Sequence, residues 1–268
     1  MSTSEEKCYY PLILTGTINP AVFSNNNVVL TDAEERLSQY CETLTRFLSD
    51  SPFDPIIFAE NSGYPFPTEE FCALAKQNGK RFEYLYVETS VEKTAAFGKS
   101  YGEAVLISQA LQNSKLLRGQ EIIYKITGRV YLENADKICQ TADSGKSEFL
   151  TIRHRCACQT VFFKLLRRDF ENGLLNLPDY CNEASGLDVE HAIYNLLHEK
   201  KISYGCFCVY PRLHGICGTS GILYDKSAKN LMIKDQMIRM GMFKDGKLNS
   251  MQQLLHRFLV RYRENYFW

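Results

Sequence analysis

The sequence lacks an excess of charge of either sign, because 31 Lys and Arg residues balance 31 Asp and Glu residues in a chain of 268. Without a net basic field, nucleic acid is not an expected partner, and any anion binding must be local. The chain also lacks a run of about 18 apolar residues that could span a bilayer. Its beginning, MSTSEEKCYY, has no basic segment followed by an apolar one, as a secretory signal would. We therefore expect a cytoplasmic protein, associated with a membrane at most peripherally.

The usual spacing of zinc-binding cysteines is also missing, although the chain has ten cysteines. Structural zinc sites use C-x₂₋₄-C pairs with a matching second half. The closest pairs here are Cys156/Cys158 and Cys206/Cys208, which are C-x-C. Alternate residues of a strand face the same way, so we interpret these cysteines as packed, reduced thiols in a reducing compartment.

Strand and helix signals alternate in the first half of the chain. Short apolar runs predict strands, and apolar stripes with a period near 3.6 residues predict helices. The alternation indicates an α/β fold with a mainly parallel sheet and helices on both faces. The predicted strands are Tyr10–Thr15, Pro55–Ala59, Phe82–Val87 and the segment starting at Glu121; the predicted helices start at the capping box Thr31–Glu34 and cover Thr68–Gln77 and Tyr101–Leu117.

The second half of the chain is less regular. Its pattern predicts strands at Glu148–Arg155, Gln159–Phe163 and Tyr204–Tyr210, then a Gly-rich loop, and helices at Asp188–Glu199 and Ser250–Tyr262. No internal repeat or low-complexity linker separates the halves. We expect one domain, 1–268, in which residues 1–136 bind the main ligand and residues 137–268 complete the site.

The segment EIIYKITGRVYLENAD, residues 121–136, reads as a buried strand that carries charge. Lys125, Thr127 and Arg129 alternate and would share one face of that strand. Because an unpaired buried cation is costly, this face predicts a cleft that holds an anion. In a parallel sheet, ligands bind beyond the carboxyl ends of the strands. Thr15–Thr17, Glu60–Ser62 and Thr127–Arg129 would meet at that edge.

A set of motifs in the first half carries a family resemblance. LILTGTI, IIFAENSGYPF, GKSYGEAVLISQAL and YKITGRVYLEN, in this order, resemble small GT-A-type glycosyltransferases of bacterial and viral polysaccharide synthesis, such as capsule or surface-glycan synthesis. The resemblance implies a Rossmann-like α/β core, a nucleotide-sugar donor, and a growing glycan or lipid-linked glycan as the acceptor. Donor contacts are expected from strand ends, helix starts and later basic or Gly-rich segments: Thr15, Gly16, Thr17, Glu60, Asn61, Ser62, Lys99, Tyr101, Gly102, Thr127, Gly128, Arg129, Arg153, Arg155 and His214.

The sequence departs from the family at the metal-binding motif. Thr127-Gly128-Arg129 stands where the family has Asp-x-Asp, whose carboxylates hold a metal on the donor diphosphate. An Arg side chain offers phosphate a fixed fork of donors and could replace the metal. Either no metal is required, or Mg²⁺ or Mn²⁺ binds the oxygen ligands that follow directly, Glu133, Asn134 and Asp136. His214 could join such a site.

The family plan also places a catalytic base at a helix start after the donor-binding strand. A carboxylate there would deprotonate the acceptor hydroxyl. Glu190 is the first candidate and Asp188 the second, although Asp188 also suits the cap of its helix.

Two other functions remain open at this point. A nucleotidyltransferase shares the α/β core, but its Gly-rich loop with a following cation is missing from Thr15–Ala21. A non-catalytic module that binds nucleotide or carbohydrate is the other alternative. The C-terminal helix has an apolar stripe, which either packs on the core or, with Arg257, Arg261, Arg263 and Tyr266–Trp268, contacts an anionic membrane.

Overall fold

The computed structural model describes residues 10–23, 29–218 and 220–263. Within them, the strands are β1 (Leu12–Gly16), β2 (Ile56–Glu60), β3 (Phe82–Tyr86), β4 (Ile122–Thr127), β5 (Val130–Leu132), β6 (Thr151–Ile152), β7 (Ala157–Cys158), β8 (Phe162–Leu166) and β9 (Leu213–Gly215). The helices are α1 (Ala33–Asp50), α2 (Thr68–Gln77), α3 (Val91–Phe97), α4 (Lys99–Asn113), α5 (Ala135–Thr141), α6 (Arg167–Asp169), α7 (Val189–Glu199), α8 (Ala228–Arg239) and α9 (Ser250–Arg263).

A five-stranded sheet with the order β3-β2-β1-β4-β8 forms the centre of the fold. The first four strands are parallel, and β8 pairs antiparallel with β4 at one edge. Leu12 and Leu14 pack into the core layer that contains α1, while Ile13 between them packs into the layer that contains α4 and α7. Both faces of the sheet are therefore covered, and the predicted α/β class with a mainly parallel sheet is confirmed.

Helix α1 forms where the apolar stripe predicts it, but its cap differs from the prediction. Asp32, not Thr31, is the N-cap, and its carboxylate accepts a hydrogen bond of 2.7 Å from the Glu35 amide. The carboxylate also suits the positive end of the helix dipole. The buried face of α1 includes Tyr40, Leu44 and Phe47.

The prediction of one continuous strand over residues 121–136 is wrong. Strand β4 ends at Thr127, where the Gly128 amide donates to the Thr15 carbonyl at 2.8 Å. A Cβ at residue 128 would lie 2.9 Å from that carbonyl oxygen, so only glycine fits without displacement. After this turn, β5 leaves the central sheet and pairs antiparallel with β9.

The strands predicted in the second half are mostly wrong. The segment 148–155 contains only the two residues of β6 before a 3₁₀ turn, and β8 begins at Phe162, later than predicted. Residues 204–210 form no strand; Gly205 makes a single bridge to Glu148. The apolar run in this segment reflects burial in the core, where Cys206 and Phe207 pack, and does not reflect a strand of a sheet.

The paired cysteines also differ from the prediction. Cys158 and Cys206 are buried, whereas Cys156 and Cys208 are exposed. The two members of each pair do not face one way because neither pair spans a regular strand; Cys156 has a left-handed backbone with φ of 52°. All the described cysteines are free thiols.

Lys125 does not open onto a cleft, contrary to the sequence prediction. Its side chain is 1% exposed, and its Nζ lies 2.5 Å from Glu103 Oε1 on α4. The same ammonium donates to the Thr160 carbonyl at 2.7 Å. The charge is thus compensated inside the fold, and the pair ties β4 to α4.

Replacing Lys125 or Lys164 tests how strongly the stability of the fold depends on each buried ion pair. Lys164 pairs at 2.8 Å with Glu148, which is 2% exposed, whereas Glu103 is 30% exposed. We expect Lys164→Met to lower the free energy of unfolding by about 3–5 kcal/mol, because Glu148 stays buried alone. Lys125→Met should cost less than about 2 kcal/mol, because water can reach Glu103. Urea unfolding of both variants checks this, and equal losses would contradict it.

Candidate functional site

A cavity of about 920 Å³ lies at the carboxyl ends of the parallel strands. Thr15 and Thr17 at the end of β1, Asn61 after β2, and Thr127 at the end of β4 contribute to its wall. The first turns of α4 and α7 contribute to the wall, and so do Cys217, Gly218, Ser220, Ile222, Leu223, Tyr224 and Lys226. The ends of β1, β2 and β4 therefore meet at one site, as expected for a parallel α/β sheet.

Arg129 lies in the wall of the cavity directly after the β4 turn. It is 6% exposed, and its Nη1 donates to Gln39 Oε1 at 2.9 Å. Its guanidinium lies 5.8 Å from the Tyr40 ring centroid. Among the residues that the structure describes, its buried Nε has no hydrogen-bond partner. A buried donor without a partner is costly, so this group is suited to an acceptor brought by a ligand.

A second buried arginine, Arg36, lies beside it. Its Nε and Nη2 donate to the Thr17 carbonyl at 2.9 and 2.5 Å, and its Nη1 donates to the Leu30 carbonyl at 3.1 Å. Burial, and then the nearby charge of Arg129, lowers the pKa of Arg36, which the Tyr40 hydroxyl partly opposes. Across the described ranges, neither arginine has a carboxylate oxygen within 4.0 Å. The cavity wall thus holds two adjacent cations that form no ion pair with a carboxylate of the described residues, although the more distant charge of Glu60 raises the pKa of Arg36 slightly.

Arg36 was not among the site residues predicted from the sequence. Its position could have indicated it, because it lies four residues before Tyr40 and eight before Leu44, on the buried stripe of α1. A charged residue on the buried face of a helix indicates a partner or ligand for its charge, as the charged residues of β4 do.

Gly218 packs against both guanidinium groups. A Cβ at this position would overlap Arg129 Nη2 and lie 3.7 Å from Arg36 Nη1. The Gly218 carbonyl also accepts a hydrogen bond from the Val29 amide at 3.2 Å. Any side chain at residue 218 would therefore displace the Arg129 guanidinium, whereas its distance from Arg36 is that of an ordinary van der Waals contact.

Carboxylates also line the cavity, at the start of α7. Asp188 is the N-cap of α7 and accepts hydrogen bonds of 3.0 Å from the Glu190 and His191 amides. Its Oδ1 also lies 2.7 Å from the His191 ring. Asp188 thus has the capping role that the sequence left open.

Glu190 differs from Asp188 because it makes few hydrogen bonds. It accepts one long hydrogen bond, of 3.4 Å, from the Thr160 amide. Burial, and then the negative charge of Asp188, raises the pKa of Glu190 to about 7. At neutral pH such a carboxyl group is able both to accept and to donate a proton.

Two further carboxylates in the cavity wall were not predicted. Glu103 is held by Lys125, as described above. Glu183 accepts hydrogen bonds from the Ser100 amide at 3.0 Å and the Ser100 hydroxyl at 2.5 Å, at the start of α4. No local pattern could indicate Glu183, because its partner lies 83 residues away in the sequence.

The predicted site residues divide into two groups. Those that line the cavity are Thr15, Gly16, Thr17, Asn61, Lys99, Gly102, Thr127, Arg129, Arg155, Asp188 and Glu190. Those outside its wall are Glu60, Ser62, Tyr101, Gly128, Arg153, His214, Glu133, Asn134 and Asp136.

Several residues of the second group have structural contacts. Glu60 accepts hydrogen bonds from the Ile18 and Gly63 amides, each at 2.9 Å, and so fixes the loops after β1 and β2. His214 pairs with Asp225, and Arg153 donates to the Lys244 carbonyl at 3.2 Å. These side chains support the fold around the site or lie elsewhere.

The residues proposed for a metal do not form a suitable donor set. The Asn134 amide group donates to the Tyr210 carbonyl at 3.0 Å, and its oxygen accepts from the Arg212 amide at 2.8 Å. Glu133 and Asp136 are exposed at the surface. Within the described part of the chain, no three His, Cys, Asp or Glu side chains are grouped so that they could hold a metal ion.

Comparison with known proteins gives structural similarity at low sequence identity. No protein-family model matches the sequence, and no curated protein matches it significantly. A protein described as a nucleotide-diphospho-sugar transferase, from Desulfovibrio desulfuricans G20, is 9% identical with a TM-score of 0.47, over 74% of this chain and 78% of its own. The bifunctional glycosyltransferase WbbM is 8% identical with a TM-score of 0.42, over 77% of this chain and 40% of its own.

A nucleoside-diphosphate-sugar pyrophosphorylase from Vibrio cholerae RC9 is also similar. It is 15% identical with a TM-score of 0.39, over 78% of this chain and 96% of its own. Similarity at this level does not identify the reaction that the protein catalyses.

Gly218→Ala tests whether the two arginines form an anion site. The added methyl group should displace the Arg129 guanidinium and weaken the binding of inorganic pyrophosphate roughly tenfold or more, because charge-assisted hydrogen bonds contribute about 1.5–3 kcal/mol each. Gly205→Ala is the matched control, since its Cβ would have no neighbour closer than 3.6 Å. Calorimetric titration measures both variants, and equal affinity in Gly218→Ala and the parent would contradict the site.

Proposed function

We propose that the protein is a glycosyltransferase that moves a sugar from a nucleotide-sugar donor to a hydroxyl group of a glycan or lipid-linked glycan. One observation carries the proposal: two buried guanidinium groups, which form no ion pair with a carboxylate in the described part of the chain, lie in the same cavity as Glu190, whose pKa is raised to about 7. The first feature suits a diphosphate, and the second suits the deprotonation of an acceptor.

The arginine pair would act on the leaving group. When the bond between the sugar and the diphosphate breaks, negative charge develops on the phosphate oxygens. Arg129, whose Nε has no partner, and Arg36, which is held rigidly by the Thr17 carbonyl, would stabilise that charge. Their fixed positions in a shielded cavity strengthen the effect, because little reorganisation is needed.

Glu190 would act on the acceptor. Its carboxylate would remove the proton from the attacking hydroxyl as the new glycosidic bond forms, and Asp188 would fix the start of α7 that carries it. The hydrogen bond of 3.4 Å from Thr160 leaves the carboxylate oxygens available to the acceptor. Deprotonation by a carboxylate of raised pKa is effective near neutral pH.

The proposal also accounts for how a diphosphate could be bound without the Asp-x-Asp motif. With Thr127-Gly128-Arg129 in its place, and with Glu133, Asn134 and Asp136 outside the cavity, we propose that arginine side chains instead of Mg²⁺ or Mn²⁺ neutralise the diphosphate. Arg155 and Lys99 also line the cavity and would add to its positive field.

Arg129→Met tests donor binding. Met keeps much of the side-chain volume and removes the charge, so the fold should persist. We expect that a panel of nucleoside diphosphates and nucleotide sugars includes one that raises the melting temperature of the parent, in the presence of EDTA as well as Mn²⁺. We expect this shift to be lost in Arg129→Met, together with most sugar transfer.

The control for this experiment is Arg118→Met, at an exposed arginine on the loop after α4. Failure of every nucleotide to bind the parent would contradict the proposal. Pyrophosphate release from a nucleoside triphosphate and a sugar phosphate would indicate a nucleotidyltransferase instead. Nucleotide-sugar binding without transfer or hydrolysis for any acceptor would indicate a non-catalytic binding module.

Glu190→Gln tests the base. Because the pKa of Glu190 is raised to about 7, its carboxylate forms, and kcat should rise, as the pH increases through that value. The variant should lose roughly 10²–10⁴-fold in kcat and should lose this pH dependence. Because the pKa of Glu190 in the fold lies above its ordinary value of 4.5, this group lowers the stability of the fold progressively between about pH 4.5 and pH 7 and fully above pH 7, so the variant should be at least as stable as the parent at pH 8. An unchanged pH profile of kcat would eliminate Glu190 as the base.

A further inference from the structure

Helix α9 presents an apolar stripe to solvent. Met251, Leu254, Phe258 and Tyr262 follow one face of the helix and are 80%, 72%, 54% and 53% exposed. By helical spacing in the sequence, Leu255 and Leu259 would belong to the same stripe. In the structure Leu259 is buried and Leu255 packs against the core, so a different face attaches α9 to the protein. The exposed stripe is therefore a second apolar face that the core does not explain.

The charge of α9 is uniformly positive. Its sequence from Ser250 to Arg263 contains Arg257, Arg261 and Arg263 and has no Asp or Glu. Arg257 and Arg261 follow the helix next to the exposed stripe, by the same helical spacing. An amphipathic helix with an apolar face and a basic, acid-free flank is typical of helices that lie in the plane of a membrane surface.

A basic pocket extends this charge beyond the helix. It has a volume of about 470 Å³ and is lined by Arg153, Lys247 and Arg257, together with His154 and His256 and no carboxylate. Arg257 borders both the pocket and the exposed stripe. The positive surface is therefore continuous from α9 to the 3₁₀ turn at residues 153–155.

The charge pattern favours a lipid over a second copy of this chain. Two copies joined through the stripe would bring arginine against arginine without an acidic partner on either helix, which is unfavourable. A bilayer with anionic headgroups instead accepts the apolar side chains and attracts each arginine by about 1 kcal/mol. In the described part of the chain, no helix has both the length and the apolar character needed to cross a membrane.

We propose that α9 binds the protein to the surface of an anionic phospholipid membrane. Met251, Leu254, Phe258 and Tyr262 enter the interface, and Arg257 and Arg261 contact the lipid phosphates. Tyr266, Phe267 and Trp268, which the sequence analysis assigned to this contact, lie outside the described residues. The inference does not depend on the proposed sugar transfer.

Co-sedimentation with vesicles tests the proposal. The full chain should bind vesicles of phosphatidylcholine and phosphatidylglycerol, mixed about two to one, at least tenfold more strongly than vesicles of phosphatidylcholine alone, and salt should weaken this binding. Leu254→Ser with Phe258→Ser should reduce binding about tenfold or more, because two interfacial apolar groups are lost. Arg257→Gln with Arg261→Gln should reduce binding to the anionic vesicles roughly thirtyfold.

Matched controls come from exposed residues elsewhere. Met232→Ser, at a methionine on α8 that is 73% exposed, and Arg118→Gln should bind like the parent. Melting temperature and nucleotide binding should be unchanged in all variants, which separates this test from that of the transfer reaction. Equal binding to both kinds of vesicle, or unchanged binding of the α9 variants, would overturn the proposal. A dimer that dissociates in Phe258→Ser, without vesicle binding by the parent, would assign the stripe to a second copy instead.

Discussion

The candidate site is organised around two guanidinium groups that the fold holds side by side and that form no ion pair with any carboxylate of the described residues. Burying such charges is costly, and here backbone carbonyls and the amide oxygen of Gln39 satisfy only part of their hydrogen-bonding capacity. The arrangement depends on the end of β1, since the Thr17 carbonyl holds Arg36, and on the turn after β4, which places Arg129. An anionic ligand would complete the hydrogen bonding and lower the electrostatic cost.

Burial also disfavours the charged form of Glu190, an acidic group in the wall of the same cavity. Glu190 accepts one long hydrogen bond and lies near Asp188, so burial and like charge both favour its protonated form. Asp188, two positions earlier in the sequence, is the N-cap of α7 and accepts two amide hydrogen bonds. The two neighbouring carboxylates thus differ in backbone support, because Asp188 accepts two amide hydrogen bonds of 3.0 Å and Glu190 accepts only one, of 3.4 Å.

Much of the first half could be predicted from the sequence because its signals are local. The places of β1, β2 and β3, to within about two residues, and the bounds of α2 follow from short apolar runs, helix periodicity and turn residues. The second half could not be predicted in this way. Cys206, Phe207 and Tyr210 fill the core from a loop, and local periodicity cannot distinguish that burial from the burial of a strand. The partners of Lys125 and Glu183 are also distant in sequence.

The sequence by itself determined the α/β class, the edge of the sheet where the site lies, and the unusual positive charge at the end of β4. Each of these follows from patterns within one element. Only the tertiary structure decided which charges are compensated: Lys125 is paired with Glu103, whereas Arg129 joins Arg36 without a carboxylate. It also decided that α9 has two apolar faces, one packed and one exposed. The physical reason is that charge compensation and burial depend on contacts between segments far apart in the chain, which no local pattern records.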